Sequence, residues 1–264
     1  MTIGLVSALA AHSCAGAPLV HLIGHPRVSR DDAEIRLVDS GMRLLAFVSL
    51  HRGMIDRHLA AAELWPDADD VHAAGNLRTA LWRVNAVGVH LVDATRTSLR
   101  LATDVQVDAH LLGAWAARII SGTVSPHDLA YPSWDVERLE LLPGWYDEWL
   151  LLDRERLRQR LLHGLEEMCR RLIGAGRCAE AVDVGVVAAQ ADPLRESAQE
   201  VLIRAHLAVG NRAQALRAFE AHRLLLRREL GVEPAPRLRD LLALGKVGPR
   251  VERPAALVPS AVVR

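Results

Sequence analysis

The sequence predicts an α+β N-terminal winged helix-turn-helix followed by an all-α tetratricopeptide-like helical-repeat domain. Three observations predict it. Between Leu19 and Ala102, short strand patterns, then three helical patterns, then a β-hairpin follow in order. From Gly144 onward the chain reads as helix almost throughout. Within that stretch the sequence repeats every 34 residues, the period of one family of paired-helix repeats.

Length and composition fit this division. A chain of 264 residues holds two modest domains, and half of it is hydrophobic, which suits a packed globular protein. The expected limits are a disordered leader over 1–17, a winged helix-turn-helix domain over 18–107, a helical domain over 108–245 and a disordered tail over 246–264. The leader lacks a basic stretch ahead of its apolar residues, so it does not read as a secretory signal. Cys14, Cys169 and Cys178 are too few and too scattered for a disulfide framework, which points to a reducing, cytoplasmic compartment. No apolar run reaches the length of a membrane span.

The elements follow from local pattern. Leu19–Ile23, Arg27–Arg30 and Ala33–Val38 read as strands, with Gly24-His25-Pro26 and Asp31-Asp32 as turns. Ser40 is the expected N-cap of a helix carrying Leu44, Leu45, Phe47, Val48 and Leu50 on one broad face, ended by Gly53. Ile55 starts a short extended link. Arg57 to Trp65 is a second helix, stopped by Pro66. A third runs from about Val71 to Ala86, with Leu77, Leu81 and Val84 at helical spacing as its buried stripe. Asp69 or Asp70 caps it. Val89–Val92 and Ser98–Ala102 form a hairpin around a turn at Asp93–Thr97, and Asp104–Val107 adds a short strand. Asp108 opens another helix, and Ser121–Pro143 reads as a linker with short helical pieces.

In the helical half, Leu157, Leu161, Leu165, Met168 and Leu172 make an apolar stripe. Arg154, Glu155, Arg158, Arg160, Glu167 and Arg171 read as its solvated face. Gly176 and Gly210 stand 34 residues apart, as do Ala181 and Ala215. Each glycine ends a helix, and each alanine lets the partner helix approach closely. Two units need capping helices, and Trp145–Leu152 and Pro236–Leu244 are the candidates. Trp134, Trp145 and Trp149 read as anchors of the linker on the repeats.

The C-terminal half resembles the bacterial transcriptional activator domain of Streptomyces antibiotic regulatory protein-like regulators. The stretches that carry this are Leu142-Pro-Gly-Trp-Tyr-Asp-Glu-Trp149, Asp192-Pro-Leu-Arg-Glu-Ser197, Gly210-Asn-Arg-Ala-Gln-Ala-Leu216 and Leu225-Leu-Arg-Arg-Glu-Leu-Gly-Val-Glu-Pro-Ala-Pro236. The N-terminal half resembles the OmpR-like winged helix that precedes this module, through Arg43-Leu-Leu-Ala-Phe-Val48, Ala62-Glu-Leu-Trp-Pro66 and Asn76-Leu-Arg-Thr-Ala-Leu-Trp-Arg83. Where the family often has Arg, this chain has Asn85. The resemblance is to short, stand-alone members without an ATPase or sensor domain. It implies a transcription activator that recruits RNA polymerase. It also implies binding to double-stranded DNA at direct promoter repeats, as a head-to-tail homodimer.

Formal charge gives no global argument for nucleic acid, because 32 basic residues balance 32 acidic ones. A local argument exists. From His72 to Arg100, four arginines face Asp93 alone, an excess of +3, as a DNA face requires. The third helix of such a fold lies in the major groove and the hairpin tip reaches the neighbouring backbone or minor groove. Asn76, Arg78, Thr79, Trp82, Arg83 and Asn85 are therefore the recognition-helix candidates. Arg96, Thr97, Ser98 and Arg100 are the wing candidates. Trp82 either stacks on the sugar-phosphate edge or covers the core beside the wing, and the second is the preferred reading. By resemblance, Asp67, Asp69 and Asp70 face RNA polymerase. The competing class is a repeat scaffold for a protein or peptide, with a degenerate winged helix.

No phosphate-binding glycine loop, His-Glu-x-x-His or nucleophile elbow occurs, so no enzymatic activity is expected. His21 and His25 alternate on a strand and the other histidines lack ligand spacing. No metal site or cofactor is expected.

Overall fold

The computed structural model describes residues 16–31, 33–130 and 140–244. The expected leader, but for its last two residues, and the expected tail lie outside these, as do Cys14, Asp32 and Trp134. An α+β N-terminal region leads into a helical one. In chain order the first part comprises β1 (Leu19–His21), β2 (Arg27–Arg30), β3 (Ala33–Ile35), α1 (Asp39–Leu50), β4 (Ile55–Asp56), α2 (Arg57–Leu64), α3 (Asp70–Asn85), β5 (Val92–Ala94), β6 (Ser98–Leu101) and β7 (Gln106–Val107). Then come α4 (Asp108–Ser121), a 3₁₀ turn (Pro126–Leu129), α5 (Glu148–Gly174), α6 (Cys178–Ala191), α7 (Glu196–Ala208), α8 (Arg212–Leu230) and α9 (Pro236–Leu244).

Two small sheets frame the first region. One has the order β3-β2-β1-β7, with β1 antiparallel to β2 and parallel to β7. The other has the order β4-β6-β5, so the link at Ile55 is an edge strand on the hairpin, paired with Leu99. His25 falls past the end of β1, so it does not alternate with His21 on one strand. Helix α1 begins one residue before the expected cap. Val38 takes the cap position without a side-chain bond, and Ser40 lies inside the first turn. Val20, Leu45, Phe47, Leu64, Leu77, Val84, Leu91 and Leu99 belong to one buried core between sheets and helices.

The helical region packs through small residues. A Cβ on Gly164 of α5 would lie 3.0 Å from the Ala116 Cβ of α4, and one on Gly185 of α6 would lie 3.0 Å from the Leu202 Cα of α7. These contacts let the backbones close up and bury Trp115, Leu161, Leu165, Met168 and Val184 in a second core. The 34-residue repeat is visible in backbone detail. At the end of α5, Gly176 has φ +75°, and its N–H and that of Arg177 donate to Ile173 and Leu172. At the end of α7, Gly210 has φ +83°, and its N–H and that of Asn211 donate to Leu207 and His206. Both positions need the left-handed conformation that glycine adopts without a Cβ clash. Ala181 and Ala215 are fully buried where the partner helices approach.

Three expectations for this half need correction. Trp145–Leu152 is no separate cap, because its second half is the start of the 27-residue α5. Trp145 and Trp149 pack on the N-terminal core rather than on the repeats, and Trp149 meets Phe47 of α1 edge-on at 5.2 Å. Arg154 is not on a solvated face. It donates to the carbonyls of Leu141, Leu142 and Trp145 at 2.7–2.9 Å and so pins the segment before α5. Helix α9 does cover the last unit, through Leu238, Leu241 and Leu242 against Ile203, Ala215 and Phe219.

Candidate nucleic-acid interface

Helix α3 starts where Asp69 stops the preceding loop. Its carboxylate accepts the His72 N–H at 2.9 Å and also meets the His72 ring at 2.8 Å. These bonds, the backbone one first, hold the Asp69 carboxyl below its ordinary range. Of the three loop acids, Asp69 is thus engaged in capping, while Asp67 and Asp70 stand exposed. Helix α2 is capped in the same way, with Asp56 accepting from His58 and Leu59.

Ala73, Leu77, Ala80, Leu81 and Val84 bury the inner side of α3. Asn76, Arg78, Thr79, Trp82, Arg83 and Asn85 are all exposed. They do not form one line. At about 100° per residue, Arg78, Trp82 and Asn85 share a stripe that Val71 and Gly75 continue toward the N-terminus. Thr79, Arg83 and Asn76 flank it on one side. Trp82 is 70% exposed, which overturns the reading of it as a cover for the core. An indole so far out of the core carries its apolar face into solvent.

The flanking side chains are partly committed within the fold. Arg83 Nη1 donates to the Ser40 hydroxyl at 2.7 Å. The Thr79 hydroxyl donates to the Gly75 carbonyl one turn back, at 3.0 Å. Arg78 has no hydrogen bond or ion pair among the described residues.

The β5–β6 hairpin is closed by a threonine. The Thr95 hydroxyl accepts the Ser98 N–H at 3.0 Å and meets the Ser98 hydroxyl at 2.8 Å. Ser98 is therefore part of the turn, while Arg96 and Thr97 project from it. Arg100 donates to Asp93 at 2.8 Å. The same carboxylate meets His90 at 2.6 Å. His90 first, then Arg100, keep the Asp93 carboxyl below its usual range. The Arg100 charge is thus compensated in the free protein, whereas Arg96 has no partner among the described residues.

Sequence reasoning missed Arg57. Its backbone N–H donates to the Thr97 carbonyl and its Nη1 to the Thr95 carbonyl, both at 2.9 Å. It fastens the hairpin tip to the start of α2 and adds a cation beside Arg96. The signal would have been the pairing of Ile55 with Leu99, which brings the start of α2 under the tip.

Among the described residues, no cluster of three or more His, Cys, Asp or Glu could hold a metal ion, and no helix is long and apolar enough to cross a membrane.

A family model for the bacterial transcriptional activator domain matches residues 115–243. Regulatory protein AfsR of Streptomyces coelicolor is 31% identical over 242 residues, covering 86% of this chain and 24% of that protein. AfsR of Streptomyces griseus is 32% identical over 160 residues, covering 60% of this chain and 16% of that protein. The chain thus spans a quarter or less of the length of these relatives. The solved structure of Mycobacterium tuberculosis EmbR, in complex with a low affinity phosphopeptide, superposes with a TM-score of 0.61 at 15% identity, over 87% of this chain and 65% of that one. It shares the arrangement of a mixed α+β region followed by a helical domain. With residues 115–243 matching the bacterial transcriptional activator domain and 86% of the chain aligned with AfsR, the chain is similar to the Streptomyces antibiotic regulatory protein-like regulators.

Proposed function

We propose that the α+β region works as a winged helix-turn-helix that binds promoter DNA sequence-specifically, and that the chain activates transcription from it. The supporting observation is the exposed α3 stripe of Arg78, Trp82 and Asn85 beside a hairpin tip carrying Arg96. Arg78 is free to take guanine O6 and N7, or a phosphate. Asn85 takes adenine or the backbone. The Trp82 face lies against the sugar-phosphate edge. Arg96 and Thr97 reach the neighbouring backbone or minor groove, and Arg57 adds charge behind them. Arg83 contributes after leaving Ser40, and Arg100 in competition with Asp93.

In this reading α2 and α3 are the turn motif, and their loop presents Asp67 and Asp70 to RNA polymerase. Asp69 stays with its helix. Two protomers sit head to tail on direct repeats, and the protein acts in the cytoplasm. The domain division at 18–107 and 108–245 goes with this reading.

The test is a mobility-shift titration with promoter DNA selected from a genomic library. Affinity falls steeply with salt, and Arg78→Ala with Arg83→Ala abolishes the specific shift. Salt-insensitive binding that survives both substitutions refutes the assigned face. For the loop, Asp67→Asn with Asp70→Asn weakens transcription in a reconstituted assay and leaves DNA affinity intact; equal loss of both refutes the polymerase contact.

A further inference from the structure

A cavity of about 350 Å³ lies between the end of α1, the first two turns of α4 and one face of α5. Its size is within the range of small-molecule sites. Leu50, Leu141 and Leu157 supply an apolar floor. The polar wall is Arg52, His110, Asp153, Arg156 and Arg160. Three guanidiniums against one carboxylate leave a formal charge of +2 with the imidazole neutral.

That excess is not a general property of concave surface on this protein. A larger cavity of about 690 Å³ beside β3 also holds three arginines, Arg27, Arg36 and Arg43, but sets Glu34, Asp39 and Asp147 against them. Its charges cancel, and Arg43 is paired with Asp147. In the smaller cavity only Arg156 has an ionic partner, Asp153, at a loose 3.7 Å. Arg52 and Arg160 have none among the described residues.

The fold builds this cluster from separate elements. Asp153, Arg156, Leu157 and Arg160 recur at helical spacing, so α5 turns one face to the cavity. Gly113 of α4 leaves room for Arg160, whose Nη1 would lie 3.8 Å from a Cβ there. Arg52 enters from the turn after α1 with φ +33°, a backbone that non-glycine residues adopt at a cost. His110 Nε2 is buried without a hydrogen-bond partner, a polar atom that folding alone leaves unsatisfied.

Three exposed guanidiniums lining one cavity with a +2 excess suit a dianion whose oxygens accept several charge-assisted bonds, such as a phosphoryl group. The cavity is larger than that group needs, and its remaining wall is leucine. We propose that it binds a small phosphorylated metabolite, a phosphate monoester with a compact organic body, and that this ligand bridges α1 to α4 and α5. The inference is independent of the DNA reading, because binding is measured without DNA.

The experiment is isothermal titration of the full chain with glycerol 3-phosphate, orthophosphate and succinate at matched ionic strength. Glycerol 3-phosphate binds one per chain, orthophosphate binds more weakly and succinate weaker still. Arg160→Gln and Arg52→Gln each reduce the glycerol 3-phosphate affinity by about tenfold or more, as expected for losing a charged hydrogen bond. Arg96→Gln on the hairpin tip leaves the glycerol 3-phosphate affinity unchanged. Circular dichroism and urea midpoints establish that the variants are folded. Because Arg52 lies in an exposed turn, its variant decides the matter should Arg160→Gln fail to fold. The proposal is overturned by no binding of either phosphate compound, by succinate binding as tightly as glycerol 3-phosphate, or by equal weakening in Arg96→Gln.

Discussion

Arginines on a DNA face contribute to salt-dependent affinity only where their charge is available. Arg78 and Arg96 have no partner among the described residues, whereas Arg100 stands 2.8 Å from Asp93. Each phosphate contact lowers the slope of log affinity against log salt by about 0.9 on duplex DNA. Replacing Arg78 and Arg96 by Ala therefore makes the slope shallower by about 1.8. Between about 50 and 200 mM salt, the double variant then loses about twelvefold less affinity than the parent. Replacing Arg100 and Asp93 together by Ala removes no net charge and leaves the slope unchanged. The assay is fluorescence anisotropy with a labelled duplex of the selected operator at four or more salt concentrations. An equal slope change for both double variants would refute the reasoning, since partnered and unpartnered arginines would then count alike. So would an unchanged slope for the first variant.

Three further outcomes concern the scaffold. Gly185→Ala sets a methyl 3.0 Å from the Leu202 backbone, an overpacking worth about 1–3 kcal/mol of lost stability. Gly174→Ala meets nothing within 4 Å and is neutral or slightly stabilising; urea midpoints compare the two. Glu166 is 3% exposed and held by Arg195 at 2.6 Å and the Ser197 hydroxyl at 2.7 Å. Arg195→Ala leaves that carboxylate to the Ser197 hydroxyl and to Arg170 at 3.6 Å, at a cost of about 1–3 kcal/mol, and Arg195→Ala with Glu166→Leu recovers much of it. Burial, then Arg27 and Arg52 respectively, lower His21 and His110 to about 4. The unfolded chain therefore takes up protons between about pH 6.5 and 4 that the fold refuses, and stability falls on acidification through this window. Asp108 acts in the opposite sense. Burial raises it to about 6 against the pull of the Ile23, Leu22 and Ala109 backbone N–H groups, so the fold gains stability as pH falls toward 4. Two histidines outweigh one aspartate, and His110→Gln reduces the slope of stability against pH by up to about 1.4 kcal/mol per unit. Urea midpoints at pH 4.5 and 6.5 check the sign; an unchanged slope counts against it.

Periodicity made the elements legible wherever burial was one-sided. The Leu77, Leu81 and Val84 stripe carried α3 and named its exposed residues, because a helix with three buried positions leaves only one solvent face. The paired glycines at 176 and 210 were legible because a helix end in the left-handed region favours one residue type. What escaped was set by contacts remote in sequence. Ser40 looks like a cap, but Arg83 claims its hydroxyl from 43 residues away. Arg154 looks solvated among charged neighbours, yet three carbonyls of the preceding segment claim it. Arg57 and the compensation of Arg100 by Asp93 depend on strand register, which pattern alone does not specify. Trp82 escaped for another reason. A tryptophan on a half-buried helix is usually drawn inward, and only the positions of Leu81 and Val84 turn it out.

The joint between the two regions gives these details a common consequence. Asp108, first residue of α4, accepts the N–H groups of Leu22 and Ile23 at 2.9 and 3.0 Å. Across the same joint, the Gly24 N–H donates to the Glu140 carbonyl and the Leu142 N–H to the Leu22 carbonyl. Leu141, Leu142 and Leu150 are buried in the core of the α+β region although they lie just before and within α5. Trp149 packs on Phe47 of α1. The polar ties hold the segment at the end of β1, while Trp149 against Phe47 and Asp147 against Arg43 hold α1, whose other side meets α3. A displacement of α5 cannot be absorbed by a flexible linker at this joint, because packed cores resist continuous deformation. It must either break these bonds or move α1, and with it the seat of α3. The arginine-lined cavity opens at the end of that same helix.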